Sequence, residues 1–322
     1  MAFSSDAAAR LIEQGRSDAA ITLARAAADR SDPAALLQLA IWYLVGRYLP
    51  RDLVTARHFL RRASAAGSID ATRMEIALTA NGSGADRDWP GAVALLRAAA
   101  KLDSVAADEL QLVERMALGP RGEPIRPPAP ELLCESPEIR RYRSFISPEE
   151  CRHLARSAEN LLAPAKVIDP ATNRLIDHPI RTSDFAVIGP TREDLVIQAI
   201  LRRIAMASDT AVEQGEPLNI LRYAVGQQYR LHSDALPNVA NQRAKTAIMY
   251  LNDNFEGGGT LFPEAEVQID PVAGDLLLFT NTLPNGRPDP VARHAGLPVV
   301  QGTKWIATRW IRASAFDVWN PT

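Results

Sequence analysis

The segment YRLHSDAL places His232 and Asp234 two residues apart. On an extended strand the side chains at i and i+2 leave the same face, so an imidazole and a carboxylate at this spacing can reach one ion without a sharp turn. A third ligand must come from elsewhere in the chain, which holds five histidines: His58, His153, His178, His232 and His294. His58 falls in a helical array and His153 in a helix near the start of the second half, whereas His294, in GRPDPVARHAGLPV, lies between strand-like segments. His294 is therefore the expected third ligand. Two imidazoles and one carboxylate leave three octahedral positions open, which suits Fe(II), because a bidentate co-substrate and O2 can take neighbouring sites. The His-x-Asp spacing alone is more often polar surface or ordinary strand hydrogen bonding than a metal site.

Ten residues after His294, Lys304 opens the segment KWIATRWIR. Alternation puts Lys304, Ile306, Thr308 and Trp310 on one face, with Trp305, Ala307, Arg309 and Ile311 on the other. An ammonium on an otherwise apolar face is costly to bury unless an anion meets it, so a carboxylate deep in the fold is a sensible partner. A strand-end lysine reaching solvent is the equally open alternative.

The elements that must position these groups follow Pro217, where LNILRYAV, KTAIMYLN, GTLFP, AEVQID, DLLLFTN, PVVQG and KWIATRWIR are separated by Gly, Pro, Asp and Asn turns. Many short strands without intervening helices predict an antiparallel sandwich or barrel, with a jelly-roll as the leading arrangement. Two helices should lie against it. One begins at SPEECRHLARSAENLL, capped by Ser147 with Pro148 in its first turn, and a short extended stretch from Ile139 to Ile146 precedes it. The other runs over 191–213, with Thr191 and Asp194 as its start signal and a stripe through Leu195, Ile197, Ile200 and Ile204.

The first half has a different period. Residues 17–117 carry alanine and leucine at helical spacing and repeat near 36 residues: Ala20, Ala56 and Ala92 align, then Leu23, Phe59 and Leu95, then Ala27, Ala63 and Ala99. Residues 34–40 are echoed at 71–77 and 107–113, so each unit is a helix pair. Small alanines allow close approach, and Leu23, Phe59, Leu95, Leu39 and Ile76 are expected to form the apolar stripe that must stack on the next pair. Between the halves, GPRGEPIRPPAPELL at 119–133 contains five prolines and reads as a fairly stiff linker.

The chain's 322 residues suffice for two packed domains, and 47% hydrophobic with 23% charged residues is ordinary for globular units. A formal charge of −2 offers no broad attraction for a phosphate backbone or an anionic membrane, so neither nucleic acid nor membrane is an expected partner. Cys134 and Cys151, 17 residues apart, permit one bridge but require none and lack zinc-ribbon spacing. Asp6 and Glu13 stand where a signal peptide needs an unbroken apolar run, so a cytoplasmic location is expected. No stretch reaches the roughly 18–20 apolar residues of a spanning helix.

Roughly the first 115 residues resemble the Sel1-like branch of the tetratricopeptide superfamily, through RDLVTARHFLRRASAAG at 51–67 beside RDWPGAVALLRAAAKLD at 87–103. The resemblance implies an all-α solenoid over 1–118. Such an array either docks a protein or peptide or buttresses the second domain, and the sequence favours neither.

Residues 134–312 resemble the prolyl 4-hydroxylase-like group of 2-oxoglutarate and Fe(II)-dependent dioxygenases, through RTSDF at 181–185, LRYAVGQQYRLHSD at 221–234, QRAKTAIMYLNDNFEGGGTLFP at 242–263, PVAGDLLLF at 271–279 and GRPDPVARHAGLPVVQGTKWIATRWIR at 286–312. Order and spacing agree throughout. The resemblance implies a multidomain chain whose region 134–322 is a double-stranded β-helix (jelly-roll) catalytic domain with flanking helices. It also implies Fe(II) on His232, Asp234 and His294, with 2-oxoglutarate as co-substrate, O2 as oxidant and L-ascorbate as reductant. Lys304 would bind the far carboxylate of 2-oxoglutarate, Tyr223 would donate to it, and Thr260 would line the same pocket. Arg243 corresponds to an arginine associated with peptide substrate, with an internal ion pair as the other reading, while Tyr229 and Trp305 are substrate-side candidates that could equally be core. Arg181 and Ser183 fall in a signature near the catalytic barrel. The main departure is Gly259 in EGGGT, where the family often has Glu. The implied reaction hydroxylates a prolyl residue of a peptide or protein, at C4, releasing succinate and CO2. The alternatives are a hydroxylase of a free amino acid or small metabolite and a repeat-protein scaffold with little turnover.

Overall fold

The computed structural model describes residues 3–126, 129–168, 175–177 and 180–320. His178, counted among the candidate ligands, lies outside them. Two compact units emerge: Met1–Glu123 with Pro190–Gln198, and Pro124–Gly189 with Ala199–Thr322. None of the described helices is long and apolar enough to cross a membrane.

The first unit holds seven helices among its described residues: α1 (Ser5–Glu13), α2 (Ser17–Ala28), α3 (Pro33–Val45), α4 (Leu53–Ala65), α5 (Ile69–Asn81), α6 (Trp89–Ala99) and α7 (Ser104–Arg115). Asp32, Asp52, Ser68, Asp88 and Asp103 each cap the helix that follows by accepting backbone N–H bonds, so the repeat in sequence is also a repeat of helix starts. Ala20, Ala56 and Ala92 are fully buried, as close helix approach requires. The expected stripe needs correction: Leu39 and Ile76 are buried, but Leu23 and Leu95 are 38% and 40% exposed. The residues that share the alanine face sit four positions on, at Ala24, Leu60 and Leu96, each wholly buried.

Residues 190–198 pack within this same unit, which the sequence division at 118 does not anticipate. Glu109, buried on α7, accepts a hydrogen bond from the Leu195 amide at 2.9 Å; Gln198 Nε2 donates to the Ala77 carbonyl, and Asn81 Nδ2 to that of Pro190.

The second unit opens with β1 (Glu131–Glu135) and β2 (Glu138–Tyr142), so the segment expected as linker overlaps a strand at its end: ELLCE pairs antiparallel with EIRRY. Helix α8 (Pro148–Ala158) starts at a capping box in which Ser147 and Glu150 exchange side-chain and backbone bonds. Strands β3 (Ala163–Pro164), β4 (Lys166–Ile168), β5 (Leu175–Asp177) and β6 (Asp184–Ile188) lead to α9 (Leu195–Ser208), whose first residues through Gln198 belong to the helical unit and the rest to this one. Asp194 accepts from the Ile197 amide, and Leu195, Ile197, Ile200 and Ile204 are buried. Next come β7 (Leu218–Tyr223), β8 (Tyr229–His232), β9 (Arg243–Tyr250), β10 (Glu256–Gly257), β11 (Thr260–Phe262), β12 (Val267–Ile269) and β13 (Leu276–Thr280). β14 (His294–Gly296), β15 (Val299–Gln301) and β16 (Lys304–Arg312) complete the unit.

These strands form an eight-stranded sheet in the order β1-β2-β13-β9-β16-β7-β6-β3 and a four-stranded sheet in the order β12-β11-β14-β8, with two further strand pairs. Leu221, Tyr223, Ile248, Tyr250, Phe279 and Ile306 from the large sheet meet Phe262 and Ile269 from the small one in a single buried cluster. Alternation along each strand sends these residues inward.

Candidate metal centre

His232 and His294 face each other as register partners across the antiparallel pair β8 and β14, and Asp234 follows two residues beyond the first. The third ligand is thus brought in by an adjacent strand: the sequence reading put His294 between strands, whereas it begins a short one. Nε2 of His232 lies 3.4 Å from Asp234 Oδ1, and Nε2 of His294 lies 3.7 Å from Oδ2. The possible ligand atoms of the three residues all fall within 4.8 Å of one another, and all three residues are buried.

Each imidazole is oriented from behind. Nδ1 of His232 is 2.8 Å from the Arg230 carbonyl and Nδ1 of His294 is 3.2 Å from the Ala292 carbonyl. A carbonyl can only accept, so both rings carry their proton on Nδ1 and present an Nε2 lone pair to the centre. The Tyr229 ring stacks on His232 at 3.5 Å between centroids, and Phe279 packs edge-on to His294 at 4.7 Å. Burial pushes His294 down to about 4, which outweighs the upward pull of Asp234 and keeps the imidazole neutral at physiological pH. For Asp234 burial works upward, but His294, His232 and a hydrogen bond from Thr246 prevail, holding the carboxyl well below its usual range. Two imidazoles that turn Nε2 to the centre and one carboxylate beside them are a donor set that fits Fe(II).

The same three residues line a pocket together with Arg181, Leu221, Tyr223, Tyr229, Ile248, Thr260, Gly296, Lys304, Ile306, Thr308 and Trp310. Lys304 is 4% exposed; its Nζ donates to the Gly258 carbonyl at 2.5 Å and sits 5.5 Å and 5.7 Å from the Tyr223 and Tyr250 ring centres. Burial pulls its ammonium down to about 8. A desolvated cation cradled by a carbonyl and ring faces is a place for a carboxylate. Tyr223 is the register partner of Lys304 across β7 and β16, and its buried hydroxyl is pushed upward and stays protonated, able to donate. Thr260 shares a 2.8 Å hydrogen bond with the Tyr250 hydroxyl. Gly258, at φ +66°, leaves the space this arrangement needs: a Cβ there would meet the Phe255 ring at 2.9 Å and Lys304 Cδ at 3.0 Å.

The other substrate-side candidates separate. Tyr229 lines the pocket, with burial pushing its hydroxyl up to about 12. Arg243 does not line it: its guanidinium makes a two-pronged ion pair with Glu216 at 2.6 Å and 2.8 Å and lies 3.9 Å from the centre of the Trp310 ring, so the ion-pair reading describes it. Trp305 also stands apart, because alternation along β16 sends Lys304, Ile306, Thr308 and Trp310 inward and Trp305 to the opposite face, near Arg222. Arg181 is on the lining with its guanidinium 4.7 Å from the Phe185 ring centre, and Ser183 is fully buried.

Sequence reasoning missed Thr246, Asn281 and Tyr250. Period-two alternation through RAKTAIMY places Thr246, Ile248 and Tyr250 on one face and could have found two of them. Asn281 has no local signal.

Comparison with known proteins agrees with this geometry. Residues 218–312 match the sequence profile of the 2OG-Fe(II) oxygenase superfamily. Prolyl 4-hydroxylase 1 of Arabidopsis thaliana is 35% identical over 205 residues, spanning 58% of this chain and 72% of that protein. Among solved structures, a viral collagen prolyl hydroxylase from Paramecium Bursaria Chlorella virus-1 aligns at 27% identity and a TM-score of 0.46, covering 56% of this chain and 99% of that one. A Sel1 repeat protein from Oxalobacter formigenes aligns at 26% identity and a TM-score of 0.30, over 33% and 84%. The chain belongs to the 2OG-Fe(II) oxygenase superfamily, in its prolyl 4-hydroxylase-like family. It is a dioxygenase that depends on Fe(II), 2-oxoglutarate and O2.

Proposed function

We propose that this enzyme hydroxylates a prolyl residue of a peptide or protein at C4, with release of succinate and CO2. The supporting observation is the convergence of His232, Asp234 and His294 in one buried pocket with the desolvated ammonium of Lys304. His232 and His294 hold the iron through Nε2 and Asp234 through a carboxylate oxygen. Lys304 and Tyr223 bind the far carboxylate of 2-oxoglutarate, the first by charge and the second by donating its hydroxyl proton. Thr260 borders the same end, and Tyr229 stands on the substrate side. Iron held there with 2-oxoglutarate and O2 would supply the oxidising chemistry, with L-ascorbate as its reductant. The protein's own part is to orient one C–H bond and exclude water, for which Leu221, Ile248, Ile306 and Trp310 are suited.

In this reading the two-sheet unit is a double-stranded β-helix (jelly-roll) spanning 134–322, joined through 119–133 to a Sel1-like solenoid over 1–118. Its repeated helix pairs supply a surface on which a protein substrate docks. The prolyl acceptor comes from the relatives' names and from that surface. The test is mass spectrometry of proline-containing peptides incubated with Fe(II), 2-oxoglutarate and O2, with fragmentation to locate the added oxygen. Gain of one oxygen on proline, matching 4-hydroxyproline after hydrolysis and equimolar with succinate, is expected. Succinate formation with free proline or another metabolite oxidised, and every peptide unchanged, would overturn it.

A further inference from the structure

Behind Asp234 lies a line of buried polar groups outside the set that could hold the iron. Thr246 on β9 donates its hydroxyl to Asp234 Oδ2 at 2.7 Å, and Asn281, just past β13, reaches Thr246 Oγ1 with its side-chain nitrogen at 2.8 Å. Asp234, Thr246 and Asn281 are 5%, 0% and 1% exposed.

The direction of these bonds is fixed by valence. A metal-bound carboxylate is deprotonated and only accepts, so the single hydroxyl proton of Thr246 points to Asp234. Oγ1 then has only lone pairs left for Asn281, which must present its NH2 group. The opposite amide orientation would set carbonyl oxygen against hydroxyl oxygen. Nothing else decides the amide's orientation, because Asn281 Oδ1 is buried with no hydrogen-bond partner among the described residues. The backbone of Asn281 is pinned on both sides, its N–H to the Ala244 carbonyl at 2.8 Å and its carbonyl to the Asp289 N–H at 2.9 Å. The amide is therefore a fixed arm.

We infer that Asn281 and Thr246 are positioning residues that act on the iron through Asp234, holding the carboxylate so that it offers one oxygen rather than two. Both oxygens face the centre, Oδ1 at 3.4 Å from His232 Nε2 and Oδ2 at 3.7 Å from His294 Nε2, and the Thr246 bond to Oδ2 draws on that oxygen's lone pairs, so Oδ1 is the better donor to the ion. A carboxylate free to turn could chelate through both oxygens and fill a position that 2-oxoglutarate or O2 needs. The relay thus preserves the open face of the site. This inference rests on the proposed assignment of Asp234 as an iron ligand.

Co(II) titrations of the full chain under inert gas, followed by visible absorption, test it without reference to turnover. Thr246→Val keeps the shape and removes the hydroxyl, Thr246→Ser keeps the hydroxyl, and Asn281→Leu removes the arm. Thr246→Val should weaken Co(II) binding by roughly 10–100-fold, the range typical of lost outer partners, and alter the ligand-field spectrum. Thr246→Ser should restore both. Asn281→Leu should weaken binding in the same sense but less, and adding it to Thr246→Val should do no further harm, since the arm then has nothing to hold. Asp234→Ala separates the two layers of the reading: near wild-type Co(II) binding in that variant overturns the ligand assignment itself. If Asp234→Ala abolishes binding while Thr246→Val matches wild type in affinity and spectrum, the relay alone is overturned. Failure of Thr246→Ser to restore binding also overturns it, by showing that packing rather than the hydroxyl matters. Should Thr246→Val not fold, Asn281→Leu decides: unchanged affinity and spectrum there refute the relay.

Discussion

His232 and His294 sit opposite each other in the ladder between β8 and β14, with ring centres 4.3 Å apart. One register thus sets the distance between two iron-facing nitrogens, and a ligand 62 positions away in the chain needs no long loop to reach its partner. Any change that slips this ladder by one residue would turn one imidazole to the other face of the sheet.

Replacing one of these rings is the first test. His294→Ala should lower Fe(II) affinity by more than the roughly 10–100-fold that loss of an outer partner brings, because a direct ligand is gone. Isothermal titration with Fe(II) under inert gas checks this, and wild-type affinity in a folded variant would count against the site.

Lys304→Ala should act on the co-substrate instead. Losing a charge-assisted bond in a dry pocket costs about 1.5–3 kcal/mol, or roughly 10–100-fold in the KM for 2-oxoglutarate. Iron affinity should stay as it was. An unchanged KM would remove Lys304 from its proposed role.

Lys304 also predicts a pH dependence. Burial lowers its ammonium from the ordinary value of 10.5 to about 8. Between these two values the unfolded chain binds more protons than the folded one, so this group makes the ligand-free protein gain stability as pH rises from about 8 to about 10.5. Below 8 the buried charge is a cost on the order of 3 kcal/mol. Lys304→Met should therefore be the more stable protein at pH 7, and its advantage should shrink toward pH 10. Urea unfolding of both proteins at the two pH values decides it; an advantage that stays constant or grows would contradict the assigned cause.

In the helical unit, Glu109→Ala removes the acceptor that the Leu195 amide uses at 2.9 Å. Leaving a buried N–H without its partner should cost about 1–3 kcal/mol. A lower urea midpoint and faster hydrogen exchange at residues 195–198 are expected, whereas wild-type exchange would show that the bond contributes nothing. Since 190–198 belong to this unit, deleting residues 1–115 would uncover Leu195, Val196 and Ile197. Substitutions on the exposed helix faces are the cleaner probe of substrate docking.

Much of this arrangement could be read from residue order, for identifiable reasons. The inward set on β16 follows from the two-residue period of a strand, and the helix starts follow from Asp and Ser at repeated positions. β8 ends at His232, so Asp234 reaches the same site from a bend just past the strand rather than from its alternation. β14 escaped because three residues between prolines carry no period. Leu23 and Leu95 were placed inward because helical spacing alone does not say whether the third or the fourth position faces a neighbour, and burial of Leu60 and Leu96 shows that the fourth does. Arg243 turned to Glu216, a partner 27 residues away, and Asn281 met Thr246 across 35, distances over which no local pattern speaks. For Trp305, the alternation that sends Lys304 inward sends its neighbour to the opposite face, which favours the packing reading over the substrate-side one.

The most direct measurement is the visible spectrum of the protein mixed anaerobically with Fe(II) and then 2-oxoglutarate. Wild type should develop a weak metal-to-ligand charge-transfer band that saturates with the keto acid, Lys304→Ala should need far more of it, and folded His294→Ala should show none. A full band in His294→Ala, or none in correctly folded wild type, would mean that His232, Asp234 and His294 do not together hold the iron.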